Sequence, residues 1–261
     1  MSFDVAADAY GRFMGRYSEP LAERFVELVG IRPGMRALDV GAGPGALTAP
    51  LAERLGEAGV CAIEPSEPFV AALRARLPGV QVRQAAAESI PFPDRSFDLT
   101  VAQLVVHFMA DPVGGLAEMA RVTVVGGTVG ASVWDYHGER GPLSLFWRAA
   151  RDLAPQVEDE SGLAGAREGR LHELFVAAGL REVRDGALRV RVPYGDLDDW
   201  WEPYTLGVGP AGAYVAELDP DHRAALRERC GELLGTGPGI IEASAWFALG
   251  TRGDGSAGAG G

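Results

Sequence analysis

Two rhythms of apolar residues alternate along the first half of the chain. Short, nearly unbroken apolar runs fall at 35–40, 60–64, 80–84, 97–103 and 127–134. Runs of that length predict strands of a parallel sheet covered on both faces. Between them apolar residues recur at helical spacing: Leu47, Leu51 and Leu55 after the first run, Phe69, Val70, Leu73 and Leu77 after the second. Proline is tolerated only near a helix start, so Pro50 puts the first turn of that helix near Thr48. Ser66 is placed to cap the next helix, and Asp111-Pro112 opens another. Alternation of this kind predicts an α/β, doubly wound, Rossmann-like sheet whose site lies at the strands' carboxyl ends.

The flanks read differently. In the lead, 4–17, Tyr10, Phe13, Met14 and Tyr17 share one helical face. That face suits a packed leading helix, or a flap with Arg16 or a tyrosine hydroxyl over a ligand. Ser18-Glu19-Pro20 reads as a second helix start, with Leu21, Phe25, Leu28 and Val29 as its stripe and Gly30 as its end. Beyond residue 134, helices are predicted over 143–153, 171–178 and 219–234. A strand is predicted over 188–192, and an alternating one over 240–249. The Gly/Ser/Ala tail, 253–261, has nothing to bury and is predicted to be disordered. The expected division is a helical flap (1–34), a core (35–135) and a C-terminal half (136–252) with cap insertions at about 136–168 and 193–238.

Composition narrows the partners. With 261 residues, 47% of them apolar, a single large domain or a domain with a cap is expected. A net charge of −12 argues against duplex nucleic acid or an anionic membrane as partner. No apolar run approaches the ~18 residues of a membrane span. Met1-Ser2-Phe3-Asp4 does not open like a signal peptide, and Cys61 and Cys230 lack metal or redox spacing, so a reduced cytoplasm is expected. The four histidines are scattered without ligand spacing, so no metal is expected. A small-molecule substrate and a monomer or homodimer remain.

The candidate chemistry centres on Leu38-Asp39-Val40-Gly41-Ala42-Gly43-Pro44-Gly45, a strand running into a glycine turn and a helix. Glycine takes positive φ without strain and lets a ligand approach the backbone. Gly41-x-Gly43-x-x-Ala46 satisfies the loose dinucleotide pattern, and Gly41-x-Gly43-x-Gly45 that of S-adenosylmethionine sites. Glu64 ends the second strand 19 residues after Gly45, near the spacing at which an acid takes ribose hydroxyls.

Taken with the loop Ala85-Ala86-Ala87-Glu88-Ser89-Ile90-Pro91-Phe92-Pro93-Asp94-Arg95-Ser96-Phe97-Asp98, these residues resemble the class I S-adenosylmethionine-dependent methyltransferases of bacterial small-molecule metabolism. The loop is similar to the family's adenine loop, with Ala86 where the family carries an Asp. The resemblance implies a seven-stranded sheet, mostly parallel with an antiparallel C-terminal edge. It implies S-adenosylmethionine as cofactor, held by Asp39, Gly41, Ala42, Gly43, Gly45, Glu64, Pro65, Ala87, Glu88 and Gln103, with Tyr10 and Tyr17 from the lead. Glu88 is moved to the role left open at Ala86, and Gln103 to the sulfonium end. An NAD-dependent oxidoreductase, and a protein that binds the same cofactor without transferring methyl, stay open as alternatives.

A methyl acceptor that holds its proton tightly needs a base. His107 follows strand four and titrates near neutral pH in its ordinary state. Asp135, Tyr136 and His137, just after strand five, are second candidates. Trp134, Phe146, Trp147, Trp200, Trp201 and Tyr204 are expected to wall a substrate pocket beneath the cap or to form the cap's core.

Overall fold

The computed structural model of the chain describes residues 7–254. Residues 4–6 of the predicted leading helix, and 255–261 of the predicted disordered tail, lie outside the described residues. Seven strands form one sheet in the order β3-β2-β1-β4-β5-β7-β6. They are β1 (Ala37–Val40), β2 (Val60–Glu64), β3 (Gln81–Gln84), β4 (Phe97–Gln103), β5 (Thr123–Trp134), β6 (Arg181–Tyr194) and β7 (Gly239–Thr251). The first five run parallel, and β7 is antiparallel to both β5 and β6. Strand order reverses at β1, which has β2 on one side and β4 on the other. Such a reversal leaves a crevice beyond the strands' carboxyl ends.

Both faces of the sheet are covered, which is why β1 and β2 are buried along their whole length. On one face pack α2 (Arg16–Leu28), α3 (Thr48–Leu55) and α4 (Glu67–Arg76), through Phe25, Leu51 and Leu73. On the other lie α5 (Pro112–Val122) and α7 (Arg170–Ala177), through Leu116, Met119 and Phe175. A third cluster joins the leading helix to the segments after β5. It draws on α6 (Ser144–Leu153), α8 (Leu197–Trp201), α9 (Gly209–Glu217) and α10 (Pro220–Leu234).

Several local expectations are corrected. Ser18 does not start a helix: α1 (Ala7–Tyr10), a π turn (Gly11–Gly15) and α2 run on without a break, with Pro20 inside α2. The π turn interrupts the i→i−4 ladder just upstream, and the proline falls where that ladder resumes. Ser66 occupies the N-cap of α4 without making a side-chain cap bond, whereas Asp111 caps α5 through the Gly114 N–H. β5 starts at Thr123 rather than 127, because a register shift opposite Phe97 and Leu99 lets the strand pair on both sides of Gly126. β6 spans Arg181–Tyr194, far beyond 188–192. It pairs with β7 throughout, while its charged residues at the sheet edge hide the strand from an apolar count. Helix α9 was not predicted from the sequence.

Candidate active site

The glycine turn follows β1 into α3. Gly41, Gly43 and Gly45 all hold positive φ, at 69°, 54° and 98°. A Cβ at Gly41 would stand 2.5 Å from a Val105 methyl, and one at Gly45 2.6 Å from Leu73. A Cβ at Gly43 would meet nothing within 4 Å. The turn's amides are spent inside the protein. Gly41 and Ala42 donate to the Ile63 carbonyl at 2.9 and 3.0 Å, and Gly43 donates to a Glu64 carboxylate oxygen at 2.8 Å. What the turn offers a ligand is therefore room at Gly43 rather than unpaired N–H groups.

Beside it opens a cleft of about 670 Å³, lined by Gly41, Ala42, Gly43, Glu64, Pro65 and Gln103 among others. Asp39 also lines it. Burial pushes the Asp39 carboxyl up to about 7, against the Thr48 hydroxyl that donates to it at 2.6 Å, and the nearby Glu64 charge adds to the rise. Burial also raises Glu64, opposed by the Ser66 and Gly43 amides. Two buried polar atoms on the cleft wall, Ser18 Oγ and Gln103 Oε1, have no partner among the described residues. The Gln103 amide is meanwhile fixed by donating Nε2–H to the Ser18 carbonyl at 2.9 Å. Ser18 was not singled out from the sequence, because its place before Pro20 reads as a cap.

A second cavity of about 400 Å³ shares Tyr10, Leu104 and Phe108 with the cleft. Its other walls include Phe13, Met14, Trp134, Leu143, Val208 and Pro210, and its polar groups come from His107, Tyr136 and Glu160. Leu104, on the shared wall, holds φ 61°, a strained conformation for leucine.

A profile of the methyltransferase domain matches residues 38–130. Nocamycin O-methyltransferase of Saccharothrix syringae is 36% identical over 253 residues, covering 87% of this chain and 87% of that one. The chain belongs to the class I S-adenosylmethionine-dependent methyltransferases. Its cofactor is S-adenosylmethionine, which decides the glycine turn against a nicotinamide dinucleotide. Two solved structures share the fold. The YcgJ protein of Bacillus subtilis has a TM-score of 0.58 at 18% identity, over 90% of this chain and 98% of that one. A phosphoethanolamine N-methyltransferase of Haemonchus contortus, solved with S-adenosylhomocysteine, has a TM-score of 0.60 at 14% identity, over 95% of this chain and 57% of that one.

Other residues singled out in the methyltransferase's sequence stand away from the cleft lining. Ala87 packs toward α5, and a Glu88 oxygen accepts from the amides of Ala110 and Asp111 at 2.8 and 3.3 Å. Tyr17 is buried in the cap cluster. Arg16 does not reach over the cleft, since its guanidinium donates to the carbonyls of Asp199 and Pro193. The aromatic residues of the cap are mostly core: Phe146 stacks on Tyr204 at 4.6 Å, and Trp200 and Trp201 pack on Tyr204. Of the six expected pocket walls only Trp134 lines the second cavity; Trp147 borders a smaller cavity behind Glu160.

The candidate bases separate clearly. Asp135 is buried, accepts from the Gly138 amide at 2.8 Å and pairs with Arg140 at 2.5 Å, so it builds the turn after β5. His137 is exposed. His107 and Tyr136 line the second cavity, their rings 6.0 Å apart. Burial pushes the His107 imidazole down to about 3, so it does not titrate near neutral pH. Its pKa is depressed in the folded state, so the unfolded chain takes the proton first and stability is lost as pH falls below the ordinary histidine range. NMR of ring-labelled histidine is expected to show the His107 ring fixed in the neutral form between pH 5 and 8. Titration of that ring in this range would contradict its burial.

Proposed function

We propose that the enzyme transfers the methyl group of S-adenosylmethionine to an oxygen, nitrogen or carbon nucleophile of a small, largely apolar or aromatic metabolite. The observation that carries this reading is the second cavity, apolar in most of its walls and adjoining the cleft, with which it shares Tyr10, Leu104 and Phe108. The two polar atoms without partners on the cleft wall fit the cofactor. Gln103 Oε1 and Ser18 Oγ are acceptors suited to its ammonium group. Glu64 uses one lone pair on each oxygen for the amides of Gly43 and Ser66, leaving others for two ribose hydroxyls. Gly41 and Gly43 give the methionine portion room, and Asp39 orders the turn through Thr48. Ala87 and Glu88 close the adenine end by fastening its loop to α5.

The cofactor supplies a methyl group already activated by positive sulfur. The protein's own part is to align the acceptor and exclude water. The leading helix supplies Tyr10, Phe13 and Met14 to the acceptor chamber, and the two cap insertions supply Tyr136, Leu143, Glu160 and Val208. This supports a flap and cap that close on a small molecule. The relative named for O-methylation favours oxygen as the acceptor atom.

Incubation with S-adenosylmethionine and a panel of apolar phenols, enols and amines is expected to yield S-adenosylhomocysteine and a product heavier by one CH₂, both read by mass spectrometry. Tight cofactor binding with no product from any acceptor would favour the alternative of a cofactor-binding protein that transfers nothing.

A further inference from the structure

Glu160 is a buried carboxylate that the reading above leaves without a task. It opens a short turn (Glu160–Gly162) that Asp159 caps through the Ser161 amide. Two neutral donors hold it: Trp147 Nε1–H at 2.9 Å and the Tyr136 hydroxyl. Its side chain stands between two cavities. On one side is the acceptor chamber. On the other is a polar recess of about 210 Å³ lined by Glu139, Ser144, Arg151, Asp159 and Ser161.

We propose that Glu160 takes the proton of the acceptor's hydroxyl group and releases it through the recess, so that the substrate is a phenol or enol with an apolar body. This rests on the acceptor chamber of the proposed function. The step balances within the site. The hydroxyl proton passes to a Glu160 oxygen as the acceptor oxygen bonds the methyl carbon, and the electrons of the broken carbon–sulfur bond remain on sulfur. A hydroxyl suits the chamber better than an ammonium because it both donates and accepts. Trp134 lines the same chamber, and its indole N–H has no partner among the described residues. An oxygen can take that bond while giving its proton to Glu160.

The surrounding charges agree. Burial pushes Glu160 up to about 7, opposed by the bonds from Trp147 and Tyr136 and reinforced by the charge of Asp159. Arg151 pairs with Asp159 and Glu139 across the recess. Tyr10 and Tyr136 stay protonated and His107 stays neutral, so Glu160 is the group facing the chamber that titrates near neutral pH.

The test compares wild type with E160Q, using 4-cyanophenol, a weaker acid than Glu160, as probe with S-adenosylhomocysteine bound, at a pH above the Glu160 value and below that at which the free phenol ionises. The wild type is expected to bind the probe with a phenolate-like absorption band, and E160Q to bind it as the neutral phenol. Affinity for S-adenosylhomocysteine should agree within about twofold. With a methylated phenol, kcat of E160Q falls by about 100-fold, the scale of general-base catalysis, and the rise of kcat through pH 7 disappears. Y136F removes a donor that holds the Glu160 pKa down, so its rise should move to higher pH; this keeps the test alive if E160Q fails to fold. Identical probe spectra in both proteins, or an unmoved pH profile in Y136F, would overturn the role of Glu160 alone. A wild type that binds no phenol and methylates only amines would overturn the acceptor reading as well.

Discussion

Gly43→Val is expected to weaken binding of S-adenosylmethionine about a thousandfold while the protein stays folded. At Gly43 an added side chain meets no protein atom within 4 Å, and the residue lines the cleft. The new methyls would occupy the volume proposed for the methionine portion. At φ 54° the substitution also carries strain of roughly 1–2 kcal/mol. For a chain of this size that lowers the melting temperature by about 2–4 °C per kcal/mol. Binding should weaken by about three orders of magnitude, equivalent to roughly 4 kcal/mol of lost interaction. The same change at Gly41 is a different experiment. There the side chain would strike Val105, so lost binding and a displaced loop would be inseparable. Calorimetric titration of the folded Gly43→Val protein reads the effect directly, and affinity within tenfold of wild type would mean that the cofactor does not pass this residue.

The sheet was legible because its inner strands are largely buried on both faces, so few polar residues, such as Asp39 in β1 and Thr100 in β4, interrupt their apolar runs. β2, at Val60–Glu64, coincides with its run for this reason. β6 was only partly legible. It lies at an edge where charged residues face solvent, and its pairing is set by β7, which begins only at Gly239. The leading helix was misread at Ser18 because local capping rules carry no information about the π turn that precedes it. Glu160 was not legible either. Glu158-Asp159-Glu160-Ser161 reads as a solvated acidic loop, and only the packing of Trp147 and Tyr136 buries one acid of the three. For the cap's aromatic residues the sequence left two readings open, pocket wall or cap core, and stacking among Phe146, Trp201 and Tyr204 puts these three in the core. The chamber is walled by other aromatic and aliphatic residues, from the leading helix and the segments after β4 and β5, and by the first residues of α9, whose Gly-Pro start gave no helical periodicity to find.

Glu64→Ala is expected to weaken cofactor binding by about 10²–10⁴-fold with little loss of stability, and the two effects have separate physical origins. A charge-assisted hydrogen bond contributes roughly 1.5–3 kcal/mol, and the ribose would lose two of them. Stability moves less because two terms oppose. The amides of Gly43 and Ser66 lose their acceptor, at 2.8 and 2.9 Å, which destabilises the turn. Against this, burial raises the Glu64 pKa, so the folded state holds the carboxylate less comfortably than water does. The sign follows from linkage. A carboxyl raised on folding stabilises the protein below its unfolded pKa, and that stability is lost as pH rises through the folded value. At pH 8 the substitution therefore relieves a burial penalty while it removes two bonds, whereas at pH 4 it only removes bonds. The melting temperature of Glu64→Ala should lie nearer the wild-type value at pH 8 than at pH 4. Glu64→Gln, which keeps an acceptor for one amide but no charge, should bind the cofactor with intermediate affinity. Calorimetry and thermal melts at the two pH values read both quantities. Cofactor affinity unchanged within threefold in Glu64→Ala would remove the ribose from this carboxylate and leave it as a clamp between the glycine turn and α4.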